Sequence, residues 1–138
     1  MRIDKGVLLI ILTLSVISCT SHKNPQVEML TEYGSIVVEL YADKAPVSSE
    51  NFLYHIDKGT FDGAVFYRSV KDNNQEGAEH KINVLQGGLY ADSLIDVHPG
   101  IKHETTQETG IQHKDGVISM ARYGPGTACT EFFFCIGD

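Results

Sequence analysis

The chain has 138 residues, enough for one domain, of which 42% are hydrophobic and 21% charged, the balance of an ordinary globular protein. Its 18 acidic and 11 basic side chains give a formal charge of -7, and no basic cluster offsets it, so nucleic acid is not an expected partner. Thirteen glycines and short β-branched runs favour strands and turns over helices.

At the N-terminus, Arg2 and Lys5 precede an apolar run over residues 7–17. A membrane span needs ~20 apolar residues, so this run instead fits the hydrophobic region of an export signal. It ends in Val16-Ile17-Ser18-Cys19 and a polar stretch, which is similar to a bacterial lipobox. The expected division is a signal peptide at 1–18, a lipidated cysteine and tether at 19–25, and a folded domain at 26–138. Cys19 is the expected lipidation site; two or more acyl chains anchor stably where one does not. The expected location is the cell envelope, lipid-anchored to a bacterial membrane and facing the periplasm or exterior. Export also permits a disulfide between Cys129 and Cys135. Cys135 follows three phenylalanines, however, and reads as a buried strand residue, so two free thiols are expected.

Within the domain, a strand at 26–31, a turn at Glu32-Tyr33-Gly34 and a second strand form a hairpin. Ile36, Val38 and Leu40 alternate along that second strand with residues facing outward. Pro46 suits the first position of a helix. Phe52, Leu53 and Ile56 fall on one helical face, Lys58 sits in the last turn and Gly59 is a good terminator. This segment, about 46–58, is the one clear helix. Residues 64–70 form a strand in which period two places Phe66, Arg68 and Val70 on one face. Residues 71–81 are polar and read as an exposed loop. A strand from Ile82 to Leu85 ends in Gln86-Gly87-Gly88, and a long turn-rich stretch runs to about Gly116. Residues 117–121 and 131–136 are two further short strands.

Several segments in this order carry a resemblance. They are Gly34-x-Ile36-x-x-Glu39-Leu40, Ala45-Pro46 with Asn51-Phe52, and Gly59 and Gly63 with Phe66-Tyr67-Arg68. Gln86-Gly87-Gly88, His103-Glu104 and Gly116-x-x-Ser119-Met120-Ala121 come next, then Gly124-Pro125-Gly126-Thr127 with Glu131-Phe132-Phe133. The chain from about residue 27 onward resembles the cyclophilin-type peptidyl-prolyl cis-trans isomerases. The resemblance implies a mainly-β fold, a cyclophilin-like antiparallel β-barrel with one clear helix. It also implies a further helix and two barrel strands beyond Asp138, absent from this chain, so that the sheet as written has unpaired edges.

The implied activity is isomerisation of X-Pro peptide bonds in exported proteins. Rotation about a peptide bond meets a barrier of ~18–20 kcal/mol because amide resonance must be broken. No covalent bond is exchanged, so no cofactor and no metal are expected. A catalyst must hold the prolyl ring and stabilise the twisted amide, whose nitrogen regains a lone pair and accepts a hydrogen bond. An arginine suits this, being permanently protonated with a rigid fork of donors. Losing one such preorganised donor often costs roughly 3–4 kcal/mol.

By resemblance Arg68 is the catalytic arginine. Phe133 lines the proline pocket, with period two separating it from Phe132 and Phe134. Gln86 supports the substrate backbone and the arginine, and Ala121 and Arg122 contact the residue before proline. Asn83 and Val84 stand where the family usually has Phe and Met, which implies a shallower, wetter pocket in which Val84 holds the ring together with Phe133. Glu131 replaces a usual glutamine and could hold Arg68 or tie it up, and Tyr67 replaces a common histidine. The expected partners are proline-containing polypeptides and, through the anchor, a membrane; a monomer is expected. A different reading keeps the fold as a membrane-anchored module that binds proline-containing peptides with little or no turnover. His98, His103 and His113 match no standard metal spacing.

Overall fold

The structure is a computed structural model that describes residues 24–137. The expected signal peptide and lipidation site at Cys19 lie outside the described residues. Strands β1 (Gln26–Thr31) and β2 (Gly34–Glu39) form an antiparallel hairpin. Gly34 takes a φ of +119°, a conformation open to glycine. The Thr31 hydroxyl donates to the Gly34 carbonyl and accepts the Tyr33 N–H, closing the turn. Alternation then sends Val27, Met29, Ile36 and Val38 toward the core.

Helix α1 spans Pro46–Asp57 with proline in its first turn, and Gly59 comes just after it at a φ of +67°, as a helix terminator requires. Its buried stripe is Ser49, Phe52 and His55, spaced three apart, with Leu53 packed alongside. Ile56, expected on the apolar face, is exposed. His55 takes the inward position and packs its ring against Phe61 and His98.

Four strands make the second sheet: β3 (Val65–Val70), β4 (Val84–Gly88), β5 (Ile118–Met120) and β6 (Phe132–Cys135), in the order β3-β4-β6-β5. Strand β4 contains Gln86, Gly87 and Gly88 rather than ending before them. The molecule is therefore mainly β, with two antiparallel sheets that do not close into a barrel among the described residues. The core lies between them: Val38, Leu40, Phe52, Phe132 and Phe134 are buried, and Phe61, Ile118 and Met120 pack against them. Phe132 meets Phe52 edge-on at 5.6 Å and Phe61 at 5.8 Å, a favoured geometry for aromatic pairs. Removing such a ring from a core costs about 3–5 kcal/mol.

Two short helices, α2 (Asp92–Ile95) and α3 (Thr106–Thr109), occupy the stretch read as turn-rich. Thr105 and Glu108 cap α3 reciprocally, satisfying N–H groups that a helix start leaves unpaired. The polar loop after β3 is exposed yet tied down. The Gln75 side chain donates to the carbonyls of Lys71 and Ile82 and accepts the Ile82 N–H. Cys129 and Cys135 are both free and buried, and burial, with nearby Asp115 as a second cause, pushes the Cys135 thiol up. Among the described residues no helix is long and apolar enough to cross a membrane.

Candidate active site

Strand β3 carries an irregularity that positions the site. Phe66 pairs with Gly87, but the next pairing is Arg68 with Gln86, so Tyr67 is an extra residue opposite β4. A β-bulge of this kind reverses the facing of the residues beyond it. Period two had put Phe66 and Arg68 on one face, and the bulge separates them. Phe66 takes the face of the sheet that carries Phe132 and Phe134, 6.1 Å from both rings, while its outer side stays exposed. It lies over Gly87, where a Cβ would fall 2.8 Å from the Phe66 ring. Arg68 and Val70 face the other way.

Directly opposed residues of an antiparallel pair share a face. Arg68 opposes Gln86, Gln86 opposes Phe133, and Phe133 opposes Ser119. One row across the sheet thus sets a guanidinium, an amide and an aromatic ring side by side. Arg68 is exposed, and its Nη1 donates to Gln86 Oε1 at 3.0 Å. Beyond Phe133, His113 stacks on the ring with centroids 5.6 Å apart and planes 27° from parallel. The His113 Nε2 lies 3.0 Å from Ser119 Oγ.

Behind the row runs a part-buried polar chain. Gln86 Nε2 donates to the Tyr67 hydroxyl oxygen at 2.6 Å, and that hydroxyl donates to Glu131 Oε2. The other oxygen, Oε1, accepts the Leu89 backbone N–H at 2.7 Å. Glu131 is 8% exposed. Burial first, and then the Glu131 carboxylate, hold the Tyr67 phenol above its ordinary value of 10, so it stays a donor. The Tyr67 ring packs on Tyr90 at 5.0 Å. Glu131 therefore reaches Arg68 through Tyr67 and Gln86 rather than by a direct ion pair.

The remaining residues singled out in the sequence are less concentrated. Val84 lies on the same face as Gln86 but is buried between Val70 and Cys135. The Asn83 side chain accepts the Asp72 N–H at 3.0 Å and so serves the polar loop. Ala121 donates its N–H to the Glu131 carbonyl at 2.8 Å, which holds the chain beyond β5 beside the row. Arg122 is exposed, with Nη2 3.5 Å from His103 Nε2. The three histidines considered for metal are dispersed, His98 lying against His55 instead, and no group of three or more metal-ligating side chains is gathered among the described residues.

A groove of about 960 Å³ runs along β2, the start of α1, residues 101–113 and β5. It is the seam between the sheets and touches the row only at Phe133, Ser119 and His113; Arg68 and Gln86 lie off it. A donor-rich cation beside a flat apolar ring can grip a ring and polarise an amide.

In the sequence Tyr67 reads as a bare replacement, and His113 is weighed only for metal, where its spacing fits no standard site. The stack of His113 on Phe133 has no signature in spacing, since His113 comes from an irregular segment. The Tyr67–Glu131 bond had one available sign: both depart from the same family pattern, and a phenol and a carboxylate are natural partners.

The chain belongs to the family described as cyclophilin type peptidyl-prolyl cis-trans isomerase/CLD, which matches residues 26–138. It is 36% identical over 109 residues to "Peptidyl-prolyl cis-trans isomerase-like 1" of Neurospora crassa, covering 77% of this chain and 61% of that protein. It is 30% identical over 124 residues to "Peptidyl-prolyl cis-trans isomerase" of Acinetobacter baylyi, covering 89% of this chain and 61% of that protein. The chain thus spans 61% of the length of each of these two curated relatives.

Proposed function

We propose that this chain catalyses cis-trans isomerisation of X-Pro peptide bonds. The observation that carries the reading is the row in which Arg68, Gln86 and Phe133 lie side by side on one face. The Phe133 ring, backed by His113, is the surface for the prolyl ring. The exposed Arg68 donates to the amide nitrogen as the bond twists, and Gln86 steadies the guanidinium. The interaction strengthens where resonance is lost, so it lowers the barrier rather than merely tightening binding. Ala121 and the backbone of Arg122 are the contacts for the residue before proline.

Further parts of the reading rest on sequence. Residues 1–18 act as an export signal, Cys19 carries the lipid anchor, and 26–138 is the catalytic domain. The substrates are then proline-containing segments of exported proteins, met at a bacterial membrane by a monomeric enzyme.

One observation favours a second reading, a binding module with little turnover. Val84 is buried and Asn83 is engaged with the loop, so neither adds an apolar wall beside Phe133.

A protease-free prolyl isomerisation assay on the full chain separates the two. Arg68→Ala should lower kcat/KM about 10²–10³-fold, the usual loss for one preorganised donor, while peptide affinity is largely retained. A folded chain that binds proline peptides yet shows no turnover would replace the enzyme with the binding module.

A further inference from the structure

A guanidinium on a long flexible stem is useful only if something holds it, and the group that holds Arg68 is an amide. The two ends of an amide are nearly the same shape but opposite in role: the oxygen accepts and the nitrogen donates. Turned the wrong way, Gln86 would set donors against donors at Arg68.

The groups that orient Gln86 lie further back. Arg68 Nη1 donates to Gln86 Oε1, Gln86 Nε2 donates to the Tyr67 oxygen, and the Tyr67 hydroxyl donates to Glu131. Every donation runs the same way. The far end is fixed because Glu131 also accepts the Leu89 N–H, a backbone group that can only donate. A carboxylate there has no donor to offer, so Tyr67 must give its proton to it and take one from Gln86.

Two features of the fold make the chain of bonds possible. The bulge lets consecutive residues, Tyr67 and Arg68, both reach the Gln86 side chain. Gly88, at a φ of +145°, leaves the space the Glu131 carboxylate fills, since a Cβ there would clash with it.

We propose that Tyr67 and Glu131 are positioning residues for Arg68: the buried carboxylate, acting through the Tyr67 hydroxyl, turns the Gln86 amide so that its oxygen faces the guanidinium. The effect on turnover rests on the isomerase reading; the effect on Gln86 does not.

Tyr67→Phe removes the hydroxyl and keeps the ring. Glu131→Gln keeps the shape but puts an NH2 group against either the Leu89 N–H or the Tyr67 hydroxyl. With the full chain, each should lower kcat about three- to tenfold, the worth of one hydrogen bond, with KM within about twofold. The double variant should be no worse than the poorer single one, because both cut the same connection. By NMR, the Gln86 side-chain amide of the unaltered chain should exchange with water more slowly than that of exposed Gln107, and Tyr67→Phe should remove the difference.

Folded variants with unchanged kcat in an active enzyme would overturn the proposal, as would additive losses. If the unaltered chain has no turnover, the isomerase reading fails, and the Gln86 amide decides the positioning inference alone. Exchange as fast as that of Gln107 in the unaltered chain overturns it, whether or not either variant folds.

Discussion

Glu104 accepts the Ser48 backbone N–H at 2.8 Å across 56 residues of chain, and its other oxygen accepts the Val47 N–H at 3.0 Å. Helix α1 begins after Ala45, which supplies no side-chain cap. A distant carboxylate therefore does what a local serine or aspartate does elsewhere, satisfying the first free N–H groups and meeting the positive end of the helix. The same contact ties the segment carrying His103 to α1. Glu104→Ala should cost about 0.5–2 kcal/mol, the usual loss of a helix cap, read as a lower urea midpoint at unchanged slope. An unchanged midpoint would mean that water replaces the carboxylate without loss.

Gly88 sits where β4 passes the Glu131 carboxylate. A methyl group there would overlap that carboxylate, and the φ of +145° is one that side chains rarely adopt. Gly88→Ala should destabilise the fold by roughly 1–3 kcal/mol, as overpacking commonly does. Gly63→Ala is the control: its φ is also positive at +83°, but no atom lies within 4 Å of the added carbon. A larger loss at Gly88 than at Gly63 in chemical denaturation isolates the steric part. Equal losses would show that backbone conformation alone matters.

His113 is exposed but stacks on Phe133. Aromatic pairing is worth about 0.5–1.5 kcal/mol. His113→Ala should therefore lower the melting temperature by a few degrees and, on the proposed reading, weaken binding of a proline-containing peptide, because Phe133 loses the ring that backs it. Phe133→Ala should remove most of the affinity. Peptide titration followed by NMR measures both, and full affinity in Phe133→Ala would move the peptide site off the row.

Much of this was legible because simple periodicities govern it. Alternation found the β1–β2 hairpin, Pro46 and Gly59 bracketed α1, and period two in β6 set Phe133 apart from Phe132 and Phe134. Period two failed at Tyr67, because a bulge adds one residue without any change in composition. The apolar face of α1 was misread at Ile56, since a histidine was not counted as a core residue. Helix α3 was missed although Thr105 and Glu108 have the spacing of a capping box. The contacts of Glu104 with α1 and of Glu131 with Leu89 join remote segments, and no local pattern encodes them.

His55 is 2% exposed and stands 4.8 Å, ring centre to ring centre, from His98. Burial first, and then His98, lower its pKa below the ordinary 6.5. The unfolded chain therefore takes up a proton in a range where the folded one resists it. Stability from this residue is fully present above pH 6.5, and it is lost as pH falls from there through the lower folded value. The melting temperature should therefore drop as pH falls below 6.5, the side on which the unfolded chain binds the proton first. His55→Phe keeps a ring against Phe61 and cannot titrate, so its drop should be smaller. His98→Asn removes the second cause and should reduce the drop by less than His55→Phe does, because burial remains. Identical drops in all three chains would assign the acid sensitivity to groups other than this pair.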